Sequence, residues 1–209
     1  MKKTLMILCG LLLAIQSGFS AENPMVATTD GSSSSSLDSF FQKGKWEIGV
    51  NSGLMFSPSI VNVQQHTVNY TTTGIQAGLM LSTPGSSGWF RGNFEGVAEL
   101  FASGLIEGRG SYVAGGTLWL RYNFMPNGWR VTPYVQLGAG GESTDIDRRI
   151  LGQDFNFNVD GAAGLRFLVS ARCSLNAEWR FEHFSDLDMT KVNRGVNAQG
   201  IVLGVSWLF

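Results

Sequence analysis

Residues Trp179 to Ser185 read Trp-Arg-Phe-Glu-His-Phe-Ser, and strict alternation sets a histidine and a serine on one face of this stretch. In an extended strand residues two apart share a side, so Trp179, Phe181, His183 and Ser185 point one way while Glu178, Arg180 and Glu182 point the other. A hydroxyl and an imidazole so placed are the groups of nucleophilic acyl transfer: a neutral ring takes the serine proton as the oxygen attacks an ester carbonyl. The ring then needs an acceptor to fix its tautomer and direction. Asn197 and Gln199 share the outward parity on the next strand and are the candidates. If the hairpin is regular and Ser185 pairs with Asn197, His183 faces Gln199 directly and Asn197 diagonally.

These side chains must be held by strands, and from Lys45 onward the chain falls into eight alternating segments rich in aromatic and β-branched residues. They span approximately 45–56, 68–81, 90–103, 112–124, 131–140, 155–168, 173–185 and 197–209. In the third, Phe90, Phe94, Ala98 and Leu100 oppose Arg91, Glu95 and Glu99; in the last, Ile201, Leu203, Val205, Trp207 and Phe209 form an unbroken apolar row. A soluble sandwich also alternates, but its strands are usually about 5 or 6 residues, whereas tilted bilayer-crossing strands need about 9 to 11. The apolar faces also carry aromatics near both ends, as interfacial girdles do.

An open sheet in lipid leaves its edge groups unsatisfied, so the sheet must close. The expected fold is therefore all-β, an eight-stranded antiparallel transmembrane β-barrel. Eight strands leave an interior filled by side chains, with Glu95, Glu99, Arg121, Asp160, Arg166, Glu178, Arg180 and Glu182 forming an internal ion-pair and hydrogen-bond network. Connections 57–67, 104–111, 141–154 and 186–196 are longer on average than 82–89, 125–130 and 169–172. Long loops are extracellular and short turns periplasmic. His183 and Ser185 then lie at the outer leaflet, on the lipid side.

Lys2 and Lys3, an apolar run from Leu5 to Ile15 and small residues near Gly18 and Ser20 read as an export signal over residues 1–20. Residues 21–44, with the serine run from Ser32 to Ser36, read as a flexible segment, and 45–209 as the barrel. Loss of the signal leaves Cys173 alone, so an intramolecular disulfide is excluded. A net charge of -1 argues against nucleic acid as partner. The outer loops contribute Arg109, Arg148, Arg149, Lys191 and Arg194, which can meet phosphates or pair with nearby aspartates; His66 reads as a surface residue.

Glu182-His183-Phe184-Ser185, then Asn193-Arg194-Gly195-Val196-Asn197 and Gly200-Ile201-Val202-Leu203-Gly204, resemble the closing hairpin of the lipid A 3-O-deacylase (PagL) family. Pro133 to Gly140, Phe155-Asn156-Phe157 and Gly161 to Phe167 resemble its preceding strands, so the likeness covers roughly residues 131–209. The resemblance implies an outer-membrane barrel that hydrolyses the ester-linked acyl chain at position 3 of lipid A, with His183 as base and Ser185 as nucleophile. It implies neither metal nor cofactor. Two positions depart from the family pattern: Asp186 stands where members carry an asparagine that helps hold the oxyanion, and Asn197 where they carry a glutamate. An asparagine can orient a histidine but does not stabilise the imidazolium by charge. A carboxylate beside a developing oxyanion is repulsive unless protonated or turned away. A backbone N–H of the loop is then the expected donor.

The expected partners are lipid A or lipopolysaccharide, the outer-membrane assembly machinery through the terminal Phe209, and a second copy of the chain in a homodimer that the sequence permits without specifying. The competing expectation is a non-catalytic small barrel with an OmpX-like structural or adhesion role, in which His183 and Ser185 are replaceable. A pore is the weakest reading, because inward charges fill the lumen.

Overall fold

The computed structural model describes residues 38–57, 67–85, 88–125, 131–170 and 172–209. The expected signal at 1–20, the serine run and His66 lie outside the described residues. Eight strands follow one another: β1 (Trp46–Phe56), β2 (Asn69–Met80), β3 (Gly92–Glu107), β4 (Tyr112–Phe124), β5 (Val131–Thr144), β6 (Phe155–Leu168), β7 (Cys173–Ser185) and β8 (Val196–Leu208). Each pairs antiparallel with the next, and β8 pairs back on β1, closing the barrel. β3 and β5 run four residues past their expected ends at 103 and 140. Gly104, Gly140 and Gly141 weaken the alternation there, but their backbones still pair across the ladder.

Burial is inverted relative to a soluble protein. Leu137 is 74% exposed and Leu118 71%, whereas Arg166 is fully buried. Only an apolar solvent favours such a belt over one charged interior. Inside, Arg166 and Arg121 share Glu47 at 3.0 and 3.2 Å and Glu95 at 3.6 and 3.5 Å. Arg180 bridges Glu178 and Glu99 at 2.7 and 3.2 Å, and Tyr70 and Tyr134 donate to Glu182 and Glu178. Asp160 accepts from Thr117 and Asn158. A buried charge is tolerated only with such partners.

The alternation rule alone does not reveal how the lumen ends. At the long-loop end inward-facing Met55, Tyr70, Phe101, Val113, Phe184, Val196 and Val202 pack with Ile146, Ile150 and Leu151 of the β5–β6 loop into an apolar core. That loop forms one helical turn, α1 (Arg148–Leu151), started by Asp147, whose side chain accepts from the Arg149 N–H. At the short-turn end Phe41 packs on Met80, Met125 and Leu208. Its carbonyl accepts from Asn93 at 3.0 Å, the Arg166 guanidinium sits 5.4 Å from its ring, and Asp38 pairs with Arg91 at 2.5 Å.

Residues 38–44, placed by sequence in the flexible segment 21–44, are folded here, with Phe41 buried against Met80, Met125 and Leu208. Trp46 stacks on Phe209 at 4.6 Å across the closing seam. The β5–β6 loop thus packs into one end of the lumen and Phe41 into the other.

Candidate active site

β7 and β8 carry the candidate groups to the long-loop end of the barrel wall. Their register sets His183 directly opposite Asn197 and Phe181 opposite Gln199. This corrects the expected pairing of Ser185 with Asn197 by two residues. A two-residue shift keeps every side chain on its face but exchanges the partner of the histidine. Asn197, not Gln199, meets the ring: Asn197 Oδ1 lies 2.7 Å from His183 Nδ1. An amide oxygen only accepts, so Nδ1 carries the proton, and a neutral ring in this tautomer has its lone pair on Nε2. Gln199 sits two residues membrane-ward, and among the described residues its buried Oε1 has no partner.

Ser185 is on the outward parity, opposite Phe157 of β6, yet it is only 8% exposed because the β7–β8 loop covers it. Among the described residues no hydrogen bond joins Ser185 Oγ to His183. Such contacts are often loose before substrate binds and close in the reacting complex. Gly195 abuts both side chains: a Cβ there would lie 3.0 Å from His183 Cε1 and 3.6 Å from Ser185 Cβ, and its φ of 63° favours glycine. Absence of a side chain leaves the edge of the imidazole open. In the sequence Gly195 appears only as part of the Asn193 to Asn197 motif of the family resemblance, with no role of its own assigned.

Asp186, the expected member of the oxyanion neighbourhood, is fully buried and faces the loop. Its Oδ2 accepts from Thr190 N–H at 3.0 Å and from Thr190 Oγ at 2.5 Å. The basic residues of the outer loops are largely engaged. Arg109 and Arg149 share Asp147, and Arg148 pairs with Asp154. Hydrogen bonds to Arg149 hold the Asp147 carboxyl well below the usual carboxylate range, and the Arg148 guanidinium lowers Asp154. Lys191 and Arg194 are exposed, as are Arg148 and Arg149, and the Arg194 N–H donates to the Ile150 carbonyl.

Membrane-ward of the site, a shallow apolar groove of about 540 Å³ runs along the outer wall between Trp179, Leu54 and Ile201, with Gln199 near its upper end. Ser52, Gly53, Phe56, Gly200 and Leu203 complete its lining. The groove faces the space that lipid chains occupy.

A closed eight-stranded barrel with an apolar belt and a charged interior is the fold of outer-membrane proteins. It is similar to Neisserial surface protein A (15% identity, TM-score 0.58, covering 80% of this chain and 100% of that one). It is also similar to the outer membrane enzyme PagL (17%, 0.56, 76% and 97%) and to the N-terminal β-barrel domain of Pseudomonas aeruginosa OprF (16%, 0.51, 80% and 98%). These likenesses establish the fold. A search of curated proteins finds no significant match. The sequence model of the lipid A 3-O-deacylase (PagL) family matches residues 78–206, more than half of the chain, and the protein belongs to that family.

Proposed function

We propose that the protein is an outer-membrane esterase that removes the 3-O-linked acyl chain of lipid A, with Ser185 as nucleophile, His183 as general base and Asn197 as the group that orients the ring. The observation that carries this reading is the 2.7 Å contact from His183 Nδ1 to Asn197 Oδ1 on the lipid-facing wall. It leaves Nε2 free to take the Ser185 proton as Oγ attacks the ester carbonyl. The tetrahedral oxyanion takes a backbone N–H of the β7–β8 loop. Collapse expels the sugar oxygen, which recovers the proton from the imidazolium, and water repeats the sequence on the acyl-serine. The apolar groove below the site supports the same reading, because an acyl chain lying along the wall passes between Trp179 and Leu54. Exposed Lys191 and Arg194 at the rim are suited to the phosphates of the head group.

Residues 1–20 export the chain, the long loops face outward, and Phe209 serves as the signal for barrel assembly. Mass spectrometry of lipid A from cells expressing the wild type, Ser185→Ala and His183→Ala tests the reading. Wild type alone removes one acyl chain. Unchanged lipid A in all three strains sinks the proposal and leaves the non-catalytic barrel.

A further inference from the structure

The residue after the nucleophile carries a carboxylate, and an exposed charge there would oppose an oxyanion. The geometry points to a different role: Asp186 is a positioning residue that clasps the β7–β8 loop and thereby sets Ser185 and Gly195 against His183. This inference rests on the proposed esterase reading for its catalytic consequence only.

Four contacts build the clasp. Asp186 Oδ2 takes both the N–H and the hydroxyl of Thr190, at 3.0 and 2.5 Å. The Met189 N–H reaches the Asp186 carbonyl at 3.2 Å, and the Asp186 N–H meets Asn193 Oδ1 at 3.3 Å. Asn193 in turn donates to Asp188 at 3.1 Å. Leu187 and Asp188 take φ of 54° and 60°, a left-handed conformation that aspartate tolerates but that is unfavourable for leucine, so the turn needs these contacts to persist.

The neighbouring loop closes the clasp from outside. Gly152, with φ of 75°, lies so close that a Cβ would overlap Thr190 Oγ1 and Val192 O and would sit 3.0 Å from Asp186 Oδ2. The Arg194 N–H donates to the Ile150 carbonyl at 2.9 Å, tying the end of the loop to α1. The next residue is Gly195, which touches the imidazole and the serine. Asp186 Oδ2 is spent on the N–H and hydroxyl of Thr190, while its buried Oδ1 has no partner among the described residues.

The test compares Asp186→Ala, Asp186→Asn and Thr190→Val in the full-length protein refolded in detergent, with heat-modifiable migration as the control for folding. Amide hydrogen exchange over 186–195 and labelling of Ser185 by a fluorophosphonate read the clasp without lipid A; kcat and KM on lipid A read its consequence. Asp186→Ala and Thr190→Val should speed loop exchange and lower both labelling and kcat about ten-fold or more, with KM within about two-fold. Asp186→Asn, whose amide oxygen still accepts from Thr190, should recover at least about half of that loss. A kcat gain of about ten-fold in Asp186→Asn would place the charge beside the oxyanion and overturn the clasp, as would unchanged exchange and labelling in Asp186→Ala. If the wild type fails to turn over lipid A, the esterase reading falls, and amide exchange over 186–195 by itself still decides the clasp.

Discussion

Asn197→Asp changes one atom type at the contact that orients His183 and nothing in shape. The proposed mechanism starts from a neutral ring, whose tautomer and direction the 2.7 Å bond to Asn197 fixes. During attack the ring becomes an imidazolium, and a carboxylate about 4 Å from its centre attracts it by about 4 kcal/mol at an effective dielectric constant of about 20. Asn197 is 8% exposed, so ionising an aspartate there costs desolvation; if that returns about half the gain, about 2 kcal/mol remains for the transition state. The expected outcome is a kcat about 30-fold higher, with KM nearly constant because substrate binds before the ring is charged. Asn197→Ala, which loses a hydrogen bond to a charged group worth about 1.5–3 kcal/mol, should lower kcat by roughly 10- to 150-fold. Release of fatty acid from lipid A in mixed micelles, followed by mass spectrometry, measures both. A Ser185-dependent activity that Asn197→Asp leaves unchanged or reduces would refute the orienting role.

Arg166→Met should cost about 3–5 kcal/mol, because Glu47 and Glu95 would keep Arg121 alone as their cation in a buried site; urea unfolding in lipid vesicles should show the midpoint shift, and an unchanged midpoint would contradict the network. Phe41→Ala should cost about 3–5 kcal/mol by emptying the fully buried plug position, and the same unfolding curve measures it. Asp145 accepts from the N–H groups of Ser111 and Tyr112, which lowers its carboxyl below the ordinary value of 3.8. Its contribution to docking the β3–β4 and β5–β6 loops is therefore present above that value and lost as pH falls through the lowered one. Exchange protection of the Ser111 and Tyr112 amides should hold at pH 5, fall in stronger acid, and be reduced at pH 5 in Asp145→Asn.

Much of the barrel is legible in the chain because its signal is local. A side chain two residues along shares a face, so Glu95 and Glu99, or Leu118 and Leu120, declare their side without knowledge of any partner. Charge then decides which face is inside once the strand length implies lipid. The pairing of His183 and Ser185 on one face was readable for the same reason. The partner of the ring was not, since shifts of two residues satisfy the same alternation, and the ten-residue loop 186–195 chooses between them. The inward apolar residues of the upper lumen, such as Met55 and Phe184, break the polar-inside pattern, and their meaning appears only when Ile150 and Leu151 arrive from a distant loop. Phe41 shows the same limit, because nothing near it in sequence indicates that a lumen floor is waiting to be covered.

The sequence by itself determined the strand count, the face of the charged side chains within the eight expected segments and the shared outward parity of His183 and Ser185, because each depends on a two-residue period or on composition. Tertiary structure alone decided that Asn197 rather than Gln199 meets His183, that Asp186 Oδ2 bonds Thr190 of its own loop, and that Ile150, Leu151 and Phe41 pack into the two ends of the lumen. Those outcomes depend on register and loop closure, which are set by contacts between residues far apart in the chain.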